Sequence, residues 1–341
     1  MDKEHLIKQI QDWTNRIPLV ILGSGASVPY NLPTMWELGD HLCSSISFSD
    51  KDSQDHFDAF KAHITTNNDL EKALSEVTVN PKVESEIVSK TWELINQRDL
   101  YAYNKIIDGT HEIILAKLIK YLLNTASRRV AIVTTNYDRI AEYAACIAGA
   151  FICTGFSHNF IGSFSSSILK NNFSKIQGFN GHVNIWKVHG SLDWFKTSSE
   201  DHKQFPLIPN IPTTFIPSIV TPGISKYQHT HNEPYRTIIA QSDQEIEVAS
   251  GFLCIGYGFN DEHVQPRLIK QIRESKPIIV ITKKLTPMTK ELIIGHNCNN
   301  YILLEEDTNP SHTKVYSSQF GEQTFEDSSY WNLQQYLTLV I

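Results

Sequence analysis

The loop Gly23-Ser-Gly-Ala-Ser27 is the first part of the sequence whose residue types suggest chemistry. It follows the apolar run Leu19-Val-Ile-Leu22, typical of a buried parallel strand, and Thr34 and Glu37 further on fit a capping box. Glycine lets a backbone approach a ligand closely, and the start of a helix attracts an anion. The pattern predicts a phosphate-binding loop. The alternative is a turn without a ligand, because the six-residue dinucleotide fingerprint is incomplete.

Three later segments share this design, in which an apolar strand ends in polar residues. They are Val130-Ala-Ile-Val-Thr-Thr-Asn-Tyr-Asp138, Ile185-Trp-Lys-Val-His-Gly-Ser191 and Phe252-Leu-Cys-Ile-Gly-Tyr-Gly-Phe-Asn-Asp261. In an open α/β sheet, ligands bind beyond the carboxyl ends of the strands. We therefore expect these polar ends to meet at one crevice.

The strands and helices predicted around these residues indicate an α/β fold. We expect a Rossmann-like, doubly wound parallel sheet with a helical insertion. Residues 1–47 and 126–300 would form the sheet domain, with Pro277-Ile-Ile-Val-Ile-Thr282 as its last clear core strand. Residues 48–125 are polar and helical in pattern and far longer than a crossover needs, so we expect them to lie over the crevice. The extension 301–341 is either a sheet edge or an oligomer contact.

Composition argues against several classes of protein. The chain has 341 residues and a formal net charge of −7, which disfavours direct binding to nucleic acid. It shows neither a signal peptide nor an apolar run long enough for a membrane span, so we expect a cytoplasmic protein without a membrane partner. Its five cysteines are scattered, which predicts neither a disulfide framework nor a zinc site.

The ordered motifs resemble those of the sirtuin-like, NAD-consuming family. Gly23-Ser-Gly-Ala-Ser27 is similar to the family's Gly-Ala-Gly-x-Ser loop, and Leu32-Pro33 to its Ile-Pro. Thr135-Asn-Tyr-Asp138 is similar to its Gln-Asn-x-Asp, and His189-Gly190 to its histidine-glycine pair. Gly256-Tyr-Gly-Phe259 takes the place of its Gly-Thr-Ser loop. The set spans most of the chain.

Two departures from the protein-deacylating sirtuins refine the resemblance. Those enzymes carry two Cys-x-x-Cys pairs that hold zinc, and this sequence has none. They also follow Ile-Pro with Asp-Phe-Arg, where this chain has Thr34-Met-Trp36 and lacks the arginine. The chain thus looks more like the bacterial sirtuin-like NAD hydrolases of antiphage defence systems.

The resemblance implies that NAD is the substrate and is cleaved to nicotinamide and ADP-ribose. His189 would be the base, since imidazole exchanges protons near neutral pH, and Asn136 would be the second catalytic residue. Asp138 would contact the nicotinamide amide or, equally, cap the next helix, and Asp261 is a further candidate cap. The cofactor-binding residues would be Gly23, Ser24, Gly25, Ala26, Ser27, Thr135, Asp138, Gly256, Gly258 and Asn260.

A hydrolase that drains NAD needs control, so the resemblance also implies partners. We expect a homo-oligomer whose helical insertion limits access to the crevice. The family's partners include HerA-type ATPases and short Argonaute proteins, and any link to nucleic acid would run through such a partner. Two other functions stay open, an NAD-dependent deacylase and a non-catalytic sensor of NAD or ADP-ribose. A Rossmann dehydrogenase fits less well because the full glycine fingerprint is missing.

Overall fold

The computed structural model describes residues 3–67, 70–170, 176–197, 201–221, 232–261, 263–296 and 298–341. Within these ranges the strands form two sheets. The strands are β1 (Leu19–Leu22), β2 (Arg129–Thr134), β3 (Ala150–Cys153), β4 (Gly162–Ser163), β5 (Gly181–Lys187), β6 (Gly190–Lys196), β7 (His202–Gln204), β8 (Ile216–Ile219), β9 (Phe252–Ile255), β10 (Ile278–Ile281), β11 (Tyr301–Glu306), β12 (Thr313–Ser317) and β13 (Gly321–Phe325).

The central sheet has the order β13-β12-β11-β10-β9-β1-β2-β5-β3. Its strands are parallel from β11 to β3, while β12 and β13 pair antiparallel at one edge. From β1 the chain first builds β2, β5 and β3 on one side and then crosses to β9 on the other. β1 is therefore the point where the winding reverses, the place where open α/β sheets bind ligands. The predicted Rossmann-like α/β fold is confirmed.

The sheet is buried on both faces, as its apolar strands predict. Along β1, Val20 and Leu22 belong to one hydrophobic core, whereas Leu19 and Ile21 belong to a second core on the opposite face. Successive side chains of a strand point to opposite faces. A strand covered on both sides must therefore be apolar throughout, which is why β1 shows no alternation.

The helices cover both faces. They are α1 (Lys3–Asn15), α2 (Met35–Ser45), α3 (Lys51–Asn67), α4 (Leu70–Glu76), α5 (Pro81–Ile107), α6 (Ile114–Leu123), α7 (Ile140–Ile147), α8 (Tyr235–Val248), α9 (Gln265–Arg273), α10 (Pro287–Thr289) and α11 (Leu333–Val340). A π-helical turn follows α10. Among the described residues, no helix combines the length and apolarity that crossing a membrane requires.

The capping box at the start of α2 is confirmed. The Thr34 side chain accepts from the backbone N–H of Glu37 over 3.2 Å, and the Glu37 carboxylate accepts from the Thr34 N–H over 2.8 Å. However, two 3₁₀ turns, Ser24–Ala26 and Val28–Tyr30, separate this helix from the glycine loop. The glycine loop therefore does not lead directly into α2, although the helix starts at the predicted residue.

The helical segment α3–α5 is tied into the rest of the molecule. The Trp92 indole N–H of α5 donates to the carbonyl of Leu192 over 2.8 Å, and the Asn96 amide donates to the carbonyl of Ile208 over 2.9 Å. Trp92 is almost fully buried and belongs to the same hydrophobic core as Val20. The segment therefore shares the hydrophobic core of the central sheet.

The prediction that Pro277–Thr282 contains the last core strand is wrong. β11 pairs in parallel with β10, placing Tyr301 opposite Ile278, and β12 and β13 extend the sheet further. Acidic residues at the end of β11 and polar alternation in β12 and β13 mask these strands in the sequence. The extension 301–341 therefore contributes three strands to the central sheet, while the division into domains stays a prediction.

Candidate active site

A cavity of about 370 Å³ opens at the carboxyl ends of the central strands. Its walls come from the loops after β1, β2, β9 and β10, together with the short connection between β5 and β6. This volume lies in the ordinary range of small-molecule sites. The cavity sits beside the strand at which the sheet changes winding direction, where ligand binding is expected.

Eleven of the twelve predicted site residues line this cavity. They are Gly23, Ser24, Gly25, Ser27, Thr135, Asn136, Asp138, His189, Gly256, Gly258 and Asn260. The twelfth, Ala26, is outside the lining; its N–H turns back to the carbonyl of Gly23 over 3.0 Å, closing a 3₁₀ turn. The structure thus brings together segments that are far apart in the sequence.

Two glycine loops form one wall of the cavity. The Gly23 N–H donates to the carbonyl of Ile255, and the Gly25 N–H donates to the carbonyl of Gly256, both over 3.1 Å. Gly256 has a φ of +58°, and a Cβ there would lie 2.3 Å from the backbone nitrogen of Ala26. The glycines are therefore required for the contact between the two loops, in addition to any approach by a ligand.

Asn136 connects the loop after β2 to the glycine loop after β1. Its side-chain nitrogen donates to the carbonyl of Gly23 over 2.9 Å and to Oγ of Ser27 over 3.1 Å. A backbone carbonyl can only accept, so the amide orientation is fixed by this bond. Both amide hydrogens are used, which leaves Oδ1 as the atom of Asn136 that can accept from a ligand hydroxyl.

Asp138 lies in the wall of the cavity and is almost completely buried. Its carboxylate accepts from the N–H of Ile140 over 3.1 Å at the start of α7 and from the Ser27 side chain. The helix contact anticipated in the sequence is thus present. Burial raises the pKa of the Asp138 carboxyl, and the nearby Lys187 ammonium opposes that rise. Ser27 joins Asp138 to Asn136 through hydrogen bonds.

Charged side chains are packed behind the loop after β2. The fully buried Lys187 donates to the backbone carbonyl of Asp138 and lies 3.1 Å from the Glu142 carboxylate. Burial raises the pKa of Glu142 to about 7, and Lys187 limits the rise. On the other side, Arg139 is bound by Asp99 of α5. These contacts fix the backbone that carries Asn136 and Asp138.

His189 pairs with a carboxylate that the sequence did not assign to the reaction. Its Nε2 lies 2.8 Å from Oδ2 of Asp261, and each side chain is 7% exposed. Oδ1 of Asp261 accepts the backbone N–H groups of His263 and Val264, both over 2.9 Å. Asp261 therefore combines the capping role anticipated for it with a contact to His189.

Several further polar residues line the cavity without having been predicted. They are Tyr137, Thr221, Asp261, Thr282, Lys284 and Thr286. The Thr286 hydroxyl donates to the carbonyl of Gly258 over 2.7 Å and so supports the loop after β9. Thr282 and Lys284 directly follow β10. An apolar strand followed by polar residues is the pattern that predicted the other cavity segments, and it also predicts Thr282 and Lys284.

The helical segment supplies an apolar roof. Leu70 and Leu74 of α4 line the cavity, as do Thr91 and Ile95 of α5. We call the pair Leu70 and Leu74 the roof leucines. The insertion therefore lies over the crevice, which is where its position in the sequence suggested.

The model of the SIR2-like domain family matches residues 130–302. A mutant Sir2 homologue in complex with ADP ribose is 16% identical, with a TM-score of 0.46, covering 85% of this chain and 88% of that one. A Sir2 homologue in complex with NAD is 14% identical, with a TM-score of 0.42, covering 89% and 88%.

A third structure, Sir2Tm bound to a propionylated peptide, is 14% identical, with a TM-score of 0.40, covering 82% of this chain and 88% of that one. No curated protein matches the chain significantly. The family match covers half of the sequence. It includes the loop after β2, the connection between β5 and β6 that carries His189, and the loop after β9. This chain belongs to the SIR2-like domain family.

Proposed function

We propose that this protein hydrolyses NAD⁺ to nicotinamide and ADP-ribose. The observation that carries the proposal is the convergence of Asn136 and the His189–Asp261 pair on one cavity walled by two glycine loops. Membership of the SIR2-like family supports NAD as the ligand. The cavity offers a histidine, an amide oxygen and glycine loops, which suit a dinucleotide better than an apolar ligand.

The reaction needs no general acid, because its leaving group does not have to be protonated. The bond between the nicotinamide nitrogen and the ribose carbon breaks, and its electron pair returns to the cationic ring, which leaves neutral. The ribose passes through an oxocarbenium-like state, as in other glycosyl transfers. Water then adds to the ribose carbon and loses a proton. The protein must therefore orient the substrate and accept that proton.

The residues divide these tasks in our proposal. His189 takes the proton from the attacking water, and Oδ1 of Asn136 accepts from that water or from a ribose hydroxyl. Asp138 receives the amide of nicotinamide. The loop residues Ser24, Gly25 and Ser27 contact the diphosphate, with Gly23 and Ala26 shaping the turn. On the far side, Gly256, Gly258 and Asn260 face the adenosine ribose, and Thr135 completes the wall.

We further propose that the activity serves antiphage defence. Unrestrained loss of NAD would harm the host, so the protein would act when a partner releases it, such as a HerA-type ATPase or a short Argonaute. Homo-oligomerisation, a cytoplasmic location and the absence of a structural zinc complete the proposal. Its basis is the motif set together with the scattered cysteines, none of which forms a ligand pair in the sequence.

The test is release of nicotinamide from NAD⁺ by the purified full chain, alone and with the protein encoded beside it. His189→Ala and Asn136→Ala should each lower the rate by a factor of about 100 or more, the range for loss of a base or orienting group. His296→Ala and Asn299→Ala are matched controls, because both residues are exposed and outside the cavity lining. Wild-type rates in His189→Ala or Asn136→Ala would remove that residue from the mechanism.

The same assay separates the alternatives. Nicotinamide release that requires an added acyl-lysine peptide would replace hydrolysis by deacylation. Binding of NAD⁺ by calorimetry without any turnover, with and without the partner, would make the protein a sensor. Turnover with NAD⁺ alone supports the proposal.

A further inference from the structure

The loop that follows β10 brings a lysine to the cavity. Among the described residues that line the cavity, Lys284 is the single lysine and none is an arginine. The residue is exposed, and within the described part of the chain its ammonium has neither an ion pair nor a hydrogen bond. A lysine side chain is positively charged at neutral pH. The wall of the cavity therefore carries a positive charge that the proposed chemistry at the nicotinamide end does not use.

The backbone next to Lys284 is held in place by two contacts. The Leu285 N–H donates to the Glu305 carboxylate over 2.9 Å, and the Leu285 side chain is buried. The Thr286 hydroxyl donates to the carbonyl of Gly258 over 2.7 Å. These contacts fix the loop after β10 against the loop after β9, to which the proposed function assigns the adenosine ribose.

The order of the strands separates Lys284 from the reacting end of the cavity. β10 lies beside β9, and the Gly256 N–H donates to the carbonyl of Ile281 over 2.8 Å. Asn136 follows β2, which is three strands away from β10. Neighbouring strands lie roughly 4.8 Å apart, so the ends of β2 and β10 are about 14 Å apart. Lys284 therefore stands on the side of the ribose that is not cleaved.

The carboxylates in this part of the molecule already have other neighbours. Glu305 and Glu306, at the end of β11, each lie within 4.0 Å of a lysine other than Lys284. The acidic residues of the described lining are Asp138, which follows β2, and Asp261, which lies 2.8 Å from His189. Both belong to the reacting end of the cavity. On the adenosine side, the described lining thus offers a cation and no carboxylate.

The charge at this position distinguishes two related dinucleotides. In doubly wound α/β folds, a carboxylate that binds the ribose 2′-hydroxyl favours NAD, whereas a nearby arginine accommodates the 2′-phosphate of NADP. A phosphate monoester is strongly anionic at neutral pH, and lysine binds phosphate as a point charge.

We infer that Lys284 binds the 2′-phosphate of NADP⁺ and that the protein uses NADP⁺ in preference to NAD⁺. The inference rests on the proposed hydrolysis for its catalytic part. The same bond breaks as in NAD⁺: the nicotinamide nitrogen keeps the electron pair, and water adds to the ribose carbon. The products are nicotinamide, ADP-ribose 2′-phosphate and a proton. The 2′-phosphate itself is unchanged, so Lys284 determines specificity and takes no part in the bond cleavage.

Binding of two nucleotide fragments tests the inference without any turnover. Adenosine 2′,5′-bisphosphate and 5′-AMP differ by the 2′-phosphate alone, and calorimetry with the full chain compares their affinities. The wild type should bind the bisphosphate about tenfold more tightly or better, the scale of one hydrogen bond to a charged group. Lys284→Gln should reduce the ratio to less than about threefold, and Lys284→Glu should reverse it, because like charges repel. Equal affinities in the wild type, or no binding of the bisphosphate, would overturn the inference.

Lys283→Gln is the matched control. Lys283 is the adjacent lysine, is also exposed, lies 3.9 Å from Glu306 and is outside the cavity lining. Its replacement should leave the affinity ratio unchanged. A role of Lys284 at the diphosphate predicts a different result, since Lys284→Gln would then weaken both fragments by the same factor. An unchanged ratio in Lys284→Gln would therefore overturn the assignment to the 2′-phosphate.

Nicotinamide release from the two dinucleotides provides the kinetic test. The wild type should have the higher kcat/KM with NADP⁺, and Lys284→Gln should raise KM for NADP⁺ by about tenfold while kcat changes by less than about twofold, as expected for a contact remote from the chemistry. Release from neither dinucleotide would reject the proposed hydrolysis, while calorimetry would still decide the role of Lys284. Cleavage of both dinucleotides with equal kcat/KM would reject the preference for NADP⁺ and leave the hydrolysis in place.

Discussion

The backbone N–H of Gly25 donates to the carbonyl oxygen of Gly256 over 3.1 Å, joining the loop after β1 to the loop after β9. A Cβ on Gly25 would lie 2.8 Å from the Cα of Gly256, and a Cβ on Gly23 would lie 2.4 Å from its carbonyl oxygen. Both loops are thus in backbone contact. The cavity wall exists because neither loop carries side chains at these points.

Gly256→Ala should therefore lower the free energy of unfolding by more than the positive φ of residue 256 alone would cost. The matched control is Gly321→Ala, which has a φ of +69° and nothing within 4 Å of the added Cβ. The control should lose about 1–2 kcal/mol of unfolding free energy, the ordinary penalty of a left-handed conformation. Gly256→Ala should lose more, and its NAD⁺ cleavage should fall as the wall is displaced. Equal losses in urea denaturation would show that the loop contact is not tight.

The sequence alone predicts that these loops meet at one cavity, because the end of each strand is recognisable in the local sequence. Apolar runs that end in polar residues identified the loops of Gly23, Asn136, His189 and Gly256, and parallel pairing alone brings such ends to one edge. The contact between His189 and Asp261 had no such signal. It depends on how the β5–β6 connection folds against the start of α9, which no residue spacing encodes.

A second contact that the sequence does not indicate joins the helical segment to the loop after β2. Asp99 of α5 accepts from the backbone N–H of Arg139 over 2.7 Å and from its guanidinium, and both side chains are buried. Asp99→Asn would leave the guanidinium without its counter-charge. We expect a loss of about 3–5 kcal/mol in unfolding free energy, measured by urea denaturation.

Glu112→Gln provides the control for that measurement. Glu112 lies 2.9 Å from Lys117, and both side chains are more than half exposed. Removing this ion pair should change the free energy of unfolding by about 1 kcal/mol or less. If Asp99→Asn is no more destabilising than Glu112→Gln, then α5 does not hold the loop that carries Asn136.

His182 should make stability depend on pH. Burial, followed by the charge of Arg129, lowers the pKa of His182 to about 4, while Glu245 opposes this. Between pH 6.5 and 4 the unfolded chain binds a proton at this position and the folded chain does not, so folding weakens as the pH falls. The loss from this residue should reach about 3 kcal/mol. Urea denaturation from pH 7 to pH 4 should show a shallower decline for His182→Gln; parallel curves would contradict the prediction.

The roof leucines bear on the expected gating of the cavity. Leu70 and Leu74 line the cavity from α4, and the surrounding segment shares the main hydrophobic core through Phe57, Phe60 and Trp92. Deleting the segment would therefore expose core residues and confound any test of access. Point changes at the roof avoid this problem.

We predict that Leu74→Ala raises NAD⁺ cleavage by the isolated chain by about fivefold or more, the lower end of typical coupling between a regulatory element and a site. Leu74→Trp should lower it, because the larger side chain narrows the entrance. Leu94→Ala is the matched control: Leu94 lies in the same segment, is similarly half-buried, packs on the core and is outside the cavity lining. It should lose stability without gaining activity. A fluorescence assay of NAD⁺ consumption, with circular dichroism to verify folding, compares the three variants. Equal rates in Leu74→Ala and Leu94→Ala would show that the roof does not restrict access, and regulation would then have to act elsewhere in the protein.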